Sequence, residues 1–179
     1  TCVAHSHARK RERNANVMDA SEGRARRPRV THDLRDLGAA LRARWTHEHL
    51  RSAHPNTPVE VSVSQTGTIQ GEVEAHETLM LEFGTQFMGQ VDASWCRRPS
   101  QLRYHLAQCP LGLLPELSAD VPAKLPSSLP VSLHNGEAHL WLCVGAGRSS
   151  LHYDGSDGVL LVVRGHKTLT LLPPSATRL

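Results

Sequence analysis

Leu34, Leu37, Leu41 and Trp45 recur at intervals of three and four. That spacing predicts an amphipathic helix from Thr31, capped by Thr31 or Asp33, with His47, Glu48 and His49 turned to solvent near its end. Pro55 and Pro58 break it. The period then changes. Val59, Val61 and Val63 alternate with Glu60 and Ser62, the pattern of a half-buried strand that closes near Gly67. A second helix is predicted from about Glu77 to Gln90, where Leu79, Phe83 and Phe87 lie four apart and Met80 and Met88 flank the stripe. Met and Phe at this spacing read as core rather than as a cofactor box.

Leu102, Tyr104 and Leu106 alternate with Arg103, His105 and Ala107, which predicts a strand leading into Gln108. A loop or short helix follows through Leu113–Leu117, and prolines at 110, 115, 122, 126 and 130 make residues 110–130 a mostly irregular crossing. From His139 onward the chain reads as β. His139–Val144 is an apolar strand containing Trp141, and Gly145-Ala146-Gly147 turns it. Ser150–Asp154, Val159–Val163 and Lys167–Leu172 follow as strands, the last two joined by a tight Arg164-Gly165-His166 turn. Four short strands with glycine turns suggest the start of a sandwich or barrel. The fold class is therefore α+β with a mainly β core and a helical N-terminal region. Residues 1–30 carry no apolar periodicity and are rich in Arg, Ala, Ser and Asn, so they are expected to be a disordered basic tail, with the domain over 31–179.

Composition narrows the function classes. The 179 residues, 39% apolar and 21% charged, suit one ordinary soluble domain. No apolar run is long enough for a bilayer and the first residues are polar and basic, so no membrane partner and no signal peptide are expected. The net charge of +3 is too mild to argue for nucleic acid by itself, although much of the excess sits in Arg9-Lys10-Arg11 and between Arg24 and Arg29. Cys2, Cys96, Cys109 and Cys143 form no CxxC pair, which leaves zinc-finger and thioredoxin readings without support. The thiols are expected to be reduced in an intracellular protein, cytoplasmic or nuclear.

The informative segment is Ser149-Ser150-Leu151-His152-Tyr153-Asp154. Residues two apart on a strand share a face, so His152 and Asp154 would converge as two of the three ligands of a facial triad for non-haem Fe(II). His-x-Asp is a weak signal alone. Lys167, fifteen residues after His152, falls at the start of the predicted strand that the Gly165 turn folds back beside Val159–Val163. A buried lysine there needs an anion, and the distal carboxylate of 2-oxoglutarate is one. A surface lysine in a hairpin is the equally weighted alternative.

Residues 140–174, LWLCVGAGRSSLHYDGSDGVLLVVRGHKTLTLLPP, resemble the first half of the catalytic core of JmjC-type (cupin-8) oxygenases that use Fe(II) and 2-oxoglutarate. The shared run is a Trp-containing strand, a glycine turn, Ser or Thr three before the His, HxD, a hydrophobic strand, G-x-K and a Pro-Pro end. Upstream, Leu102–Asp120 (LRYHLAQCPLGLLPELSAD) is similar to the family's Y-L-A-Q segment and the P-E-L after it. The resemblance covers residues 79–179 and implies a partial double-stranded β-helix (cupin, jelly roll) with a helical N-terminal region packed around it, the domain running over 31–179. It implies that His152 and Asp154 bind iron, that Lys167 pairs with the 2-oxoglutarate carboxylate, and that Ser149 adds a hydroxyl. Trp141 would pack near the barrel mouth or simply in the core.

Three departures accompany it. The family's third ligand is a histidine several strands after the lysine, beyond Leu179. His105 stands where Y-L-A-Q has its tyrosine, as a substitute cosubstrate contact or a sign of an altered pocket. Gly158 stands where the family often has Asn. The chain opens at Thr1, Met18 being the first candidate start, and is expected to be part of a longer product, inactive alone and prone to aggregate. The whole product is expected to be a protein hydroxylase of the JmjC class with a protein substrate. A histone demethylase and a tRNA-modifying hydroxylase are alternatives within the class, so nucleic acid is not excluded as a partner. A cupin-like binding scaffold without turnover is the rival outside it.

Overall fold

The computed structural model describes residues 2–7, 34–65, 68–70, 77–95, 102–123, 137–144, 147–152 and 157–172. Its frame is a six-stranded antiparallel sheet. In chain order the strands are β1 (Cys2–His7), β2 (Pro58–Ser64), β3 (Thr68–Gln70), β4 (Glu77–Glu82), β5 (Arg103–Pro110), β6 (Glu137–Val144), β7 (Arg148–Ser149) and β8 (Asp157–Val162). The large sheet runs β4-β2-β5-β6-β1-β8, and β3 pairs with β7 in a separate two-stranded parallel ladder. The helices are α1 (Arg35–Arg44), α2 (His47–Ala53), α3 (Met88–Trp95) and α4 (Pro115–Ser118).

The alternating valines behave as their period requires. Val59, Val61 and Val63 are buried, Glu60 is exposed, and Ser62 lies on the face opposite the valines. Cross-strand pairing extends this apolar face through Val63↔Tyr104, Tyr104↔Val144 and Leu106↔Leu142. Onto it pack Trp45, Leu50, Phe83, Phe87, Met88, Leu111, Leu114 and Leu117, all within one buried cluster.

The single helix expected from Thr31 is two. Leu34, Leu41 and Trp45 are buried as the spacing requires. The chain turns at Thr46, however, whose backbone is extended and whose Oγ1 accepts the His49 N–H at 3.1 Å and caps α2. Trp45 is anchored at the break, its Nε1 donating to Asp120 Oδ2 at 2.8 Å. Arg44 reaches the other oxygen of the same carboxylate at 2.9 Å.

The helix expected over Glu77–Gln90 begins instead as strand β4, pairing Thr78 with Ser62 and Met80 with Glu60. Helical turns start only at Phe83, with a π-helical turn (Phe83–Phe87) running into α3. The Phe83, Phe87, Met88 stripe is core as expected. The preceding residues have period two as well, and the open edge of β2 offers them backbone partners that a helix would leave unused.

Three further expectations change. Cys2–His7, in the segment expected to be disordered, forms β1, pairing with both β6 and β8; two open ladders compensate for the lack of apolar periodicity. Residues 8–33 lie outside the described residues. The predicted strand Ser150–Asp154 is absent as far as it is described: only Arg148–Ser149 pairs, and a bend at Leu151 precedes His152. The predicted strand Lys167–Leu172 is not a strand either, because nothing among the described residues pairs with it, and Leu169, Leu171 and Leu172 are exposed. The Arg164-Gly165-His166 turn does form. Gly165 sits at φ +84°, where a side chain would be strained.

Candidate functional site

The face of the sheet opposite the helices carries a polar row. Register places Thr78 beside Ser62, Ser62 beside His105, and His105 beside Cys143 across four neighbouring strands. Directly paired residues on antiparallel strands point the same way, with Cβ atoms about 5 Å apart. Trp141, two residues before Cys143, shares this face. Its ring is half-buried and stands 5.9 Å from that of His139.

His105 is the unusual member of the row. It is only 7% exposed, and its Nδ1 is buried without a hydrogen-bond partner. Such atoms are uncommon because burial without a bond is costly, and they mark places where a ligand can complete the bonding. Burial, with the positive charge of Lys167 as a second cause, lowers its pKa from 6.5 to about 4. His105 is therefore neutral at pH 7, with one ring nitrogen donating and the other accepting. The β-bulge between Leu106 and Cys109, with Gln108 at φ 50°, lets Cys109 return to the interior after His105 has faced the other way. Burial pushes the Cys109 thiol up to about 11.

Lys167 follows the Gly165 turn and brings its charge to bear on His105. The charge of one residue expected to hold a cosubstrate carboxylate is thus felt at the other. The Lys167 side chain is exposed rather than sunk in a barrel, because the strand predicted for Lys167–Leu172, which was to carry it inward, does not form among the described residues. Ser149 is exposed on the β3–β7 ladder. His152 is exposed, and its Nδ1 lies 2.7 Å from the Ser150 carbonyl oxygen. That carbonyl can only accept, so a neutral His152 carries its proton on Nδ1 and a lone pair on Nε2, the arrangement of a metal-binding imidazole oriented by its own backbone. Asp154 lies outside the described residues. Among the described residues no three His, Cys, Asp or Glu side chains group to hold a metal.

Sequence reasoning missed Ser62, Thr78 and Cys143. The valine alternation does put Ser62 opposite the core, but its position next to His105 depends on strand register, which no local pattern carries. No helix among the described residues is long and apolar enough to cross a membrane.

Comparison with known proteins gives one family and one relative. The cupin-like domain family matches residues 14–179. The tRNA wybutosine-synthesizing protein 4 of Aspergillus oryzae is 31% identical over 137 residues, which is 73% of this chain and 13% of that protein. The chain thus spans a small part of the length of the relative it matches. No solved structure gives a significant match.

Proposed function

This chain belongs to the cupin-like domain family, and from that membership we propose that it is the cofactor-binding part of an Fe(II)- and 2-oxoglutarate-dependent oxygenase of the JmjC type. The observation that carries the reading is His105 itself: an orphaned, buried, neutral imidazole on the polar face of the sheet, within the field of the Lys167 ammonium. A carboxylate ligand would satisfy both. Lys167 would supply the opposite charge, and the ring N–H of His105 would donate a hydrogen bond to one oxygen. Ser149 would offer a hydroxyl, and Trp141 an apolar wall on the same sheet face as His105.

His152, through Nε2, and the Asp154 carboxylate would hold the ferrous ion. The tautomer set at His152 by the Ser150 carbonyl fits that role. When bound, iron would supply the redox chemistry by which O2, as the oxidant, couples decarboxylation of 2-oxoglutarate to succinate with hydroxylation of a second substrate. The protein's own part is to hold the cosubstrate carboxylate at Lys167 and His105, and to keep His105 uncharged so that it donates a directed hydrogen bond.

Two prime substrates fit the class. A protein side chain is the expectation from the sequence. A tRNA nucleoside is the second reading, favoured by the relative named for tRNA wybutosine synthesis.

Calorimetric titration of 2-oxoglutarate into the chain with Mn(II) in place of iron, in the absence of oxygen, tests the proposal. Saturable binding that is lost in Lys167→Ala and weakened in His105→Phe is the expected result. If the wild-type chain takes up no 2-oxoglutarate with metal present, a non-catalytic scaffold replaces the oxygenase.

A further inference from the structure

The N-terminal helix and the last strand of the sheet enclose a second feature, outside the polar face. A groove of about 270 Å³ runs between α1 and β8, lined chiefly by Arg35, Gly38, Ala39 and Arg42 on the helix and Leu161 and Val162 on the strand. The four helix residues fall at i, i+3, i+4 and i+7, which is one face of α1. Small residues occupy its middle and arginines its two ends, about 10 Å apart along the axis. Gly38 faces Leu161, where an added Cβ would make an ordinary van der Waals contact with Cδ1 at 3.4 Å. Among the described residues no carboxylate lines the groove. Asp36, the one acidic residue of α1, lies on another face.

The far end of the groove is built rather than merely charged. Arg42 donates from Nε to the Val163 carbonyl at 2.9 Å, and Arg164 donates from Nη2 to the Arg42 carbonyl at 3.0 Å. One of five N–H donors thus holds the Arg42 guanidinium in place, and the other four remain for an anion. Arg35, at the near end, has no ion-pair partner among the described residues. Two guanidinium groups flanking an apolar floor suit a ligand that alternates anionic groups with a flat, weakly polar body. A phosphodiester strand has that composition, with a ribose or base lying between phosphates.

We infer that the α1–β8 groove is a docking surface for the phosphate backbone of single-stranded RNA. The inference rests on the RNA reading of the prime substrate given above. One observation on the chain adds to the charge match. The strand that forms the groove's floor leads, through Val163–His166, directly to Lys167. The grip and the proposed cosubstrate contact are therefore neighbours along the chain.

The experiment is fluorescence anisotropy of the full chain with a fluorescein-labelled single-stranded RNA of mixed sequence, about a dozen nucleotides long, over a range of salt concentrations. No metal or 2-oxoglutarate is present, so the outcome is independent of the oxygenase test. Wild type is expected to bind with an affinity that falls linearly on a log–log plot against salt. Arg35→Glu and Ala39→Glu, neither of which removes an interaction within the fold, are each expected to weaken binding several-fold. Arg35→Ala is expected to reduce the salt slope by about 0.7, the share of a single neutralised phosphate. RNA binding that is unchanged in Arg35→Glu and Ala39→Glu overturns the assignment. So does polyglutamate that displaces the RNA as effectively as unlabelled RNA does, which would make the groove a site for acidic peptides.

Discussion

Lys167 lowers the proton affinity of His105, a residue far from it in sequence and buried on the opposite side of the sheet from the hydrophobic core. Burial is the larger cause and the lysine charge the second, and both favour the neutral ring. Replacing Lys167 by Ala should raise the His105 pKa from about 4, while burial keeps it below 6.5. Titration of the imidazole carbon-bound protons by NMR measures the shift. An unchanged value would show that the two side chains do not interact.

The same depression makes stability depend on pH. Between the folded pKa of about 4 and the unfolded value of 6.5, the unfolded chain binds more protons at this site, so stability rises with pH. The contribution is full above the unfolded value and is lost as pH falls through the folded one, about 3 kcal/mol in all. Guanidinium denaturation at pH 7 and at pH 4.5 should show most of that loss in wild type. His105→Phe should remove it from the difference between the two pH values.

Gly84 has no room for a side chain. A Cβ there would lie 2.6 Å from the Pro55 Cα and closer still to the Arg51 carbonyl oxygen, both of them backbone. The close approach is what lets the Gly84 N–H reach the His54 and Pro55 carbonyls at 3.1 and 3.2 Å and seats the π-helical turn on the end of α2. Gly84→Ala should cost about 2 kcal/mol or more, because neither neighbour can swing aside. Thermal denaturation of the variant beside Gly89→Ala, where nothing lies within 4 Å of the added carbon, makes the comparison.

Trp45 and Asp120 tie the break between α1 and α2 to the segment after α4. Trp45→Phe keeps the apolar ring in the core but removes the donor to a carboxylate that is only 10% exposed. Arg44 then holds that carboxylate alone. The expected reduction in stability, measured by guanidinium denaturation, is about 1–3 kcal/mol. Because deletion of both partners relieves the unsatisfied group, Trp45→Phe combined with Asp120→Asn should cost less than the sum of the two single changes.

Local pattern made much of the frame legible. The valine alternation of β2, the apolar run of β6 and the glycine turn at Gly165 each state their structure within a few residues, because a strand's period and a positive φ are local demands. The core stripe of Phe83, Phe87 and Met88 was equally clear, although its helix starts later than the stripe suggests. The break between α1 and α2 and the strand at Glu77–Glu82 were not legible in that way. Each leans on a partner distant in sequence: Asp120, which holds Trp45 and Arg44 at the break, for the first, and the free edge of β2 for the second.

The candidate site divides along the same line. Residue types and spacing singled out His152, Asp154 and Lys167, and the family resemblance added His105 and Ser149, since imidazole, carboxylate, hydroxyl and ammonium are fixed by identity. Tertiary structure decided that His105 is buried, orphaned at Nδ1 and neutral, that Lys167 is the cation whose field it feels, and that Ser62 and Cys143 are its neighbours. Side-chain chemistry is a property of one residue, whereas proton affinity is a property of its surroundings, and strand register and solvent exclusion assemble those from distant parts of the chain.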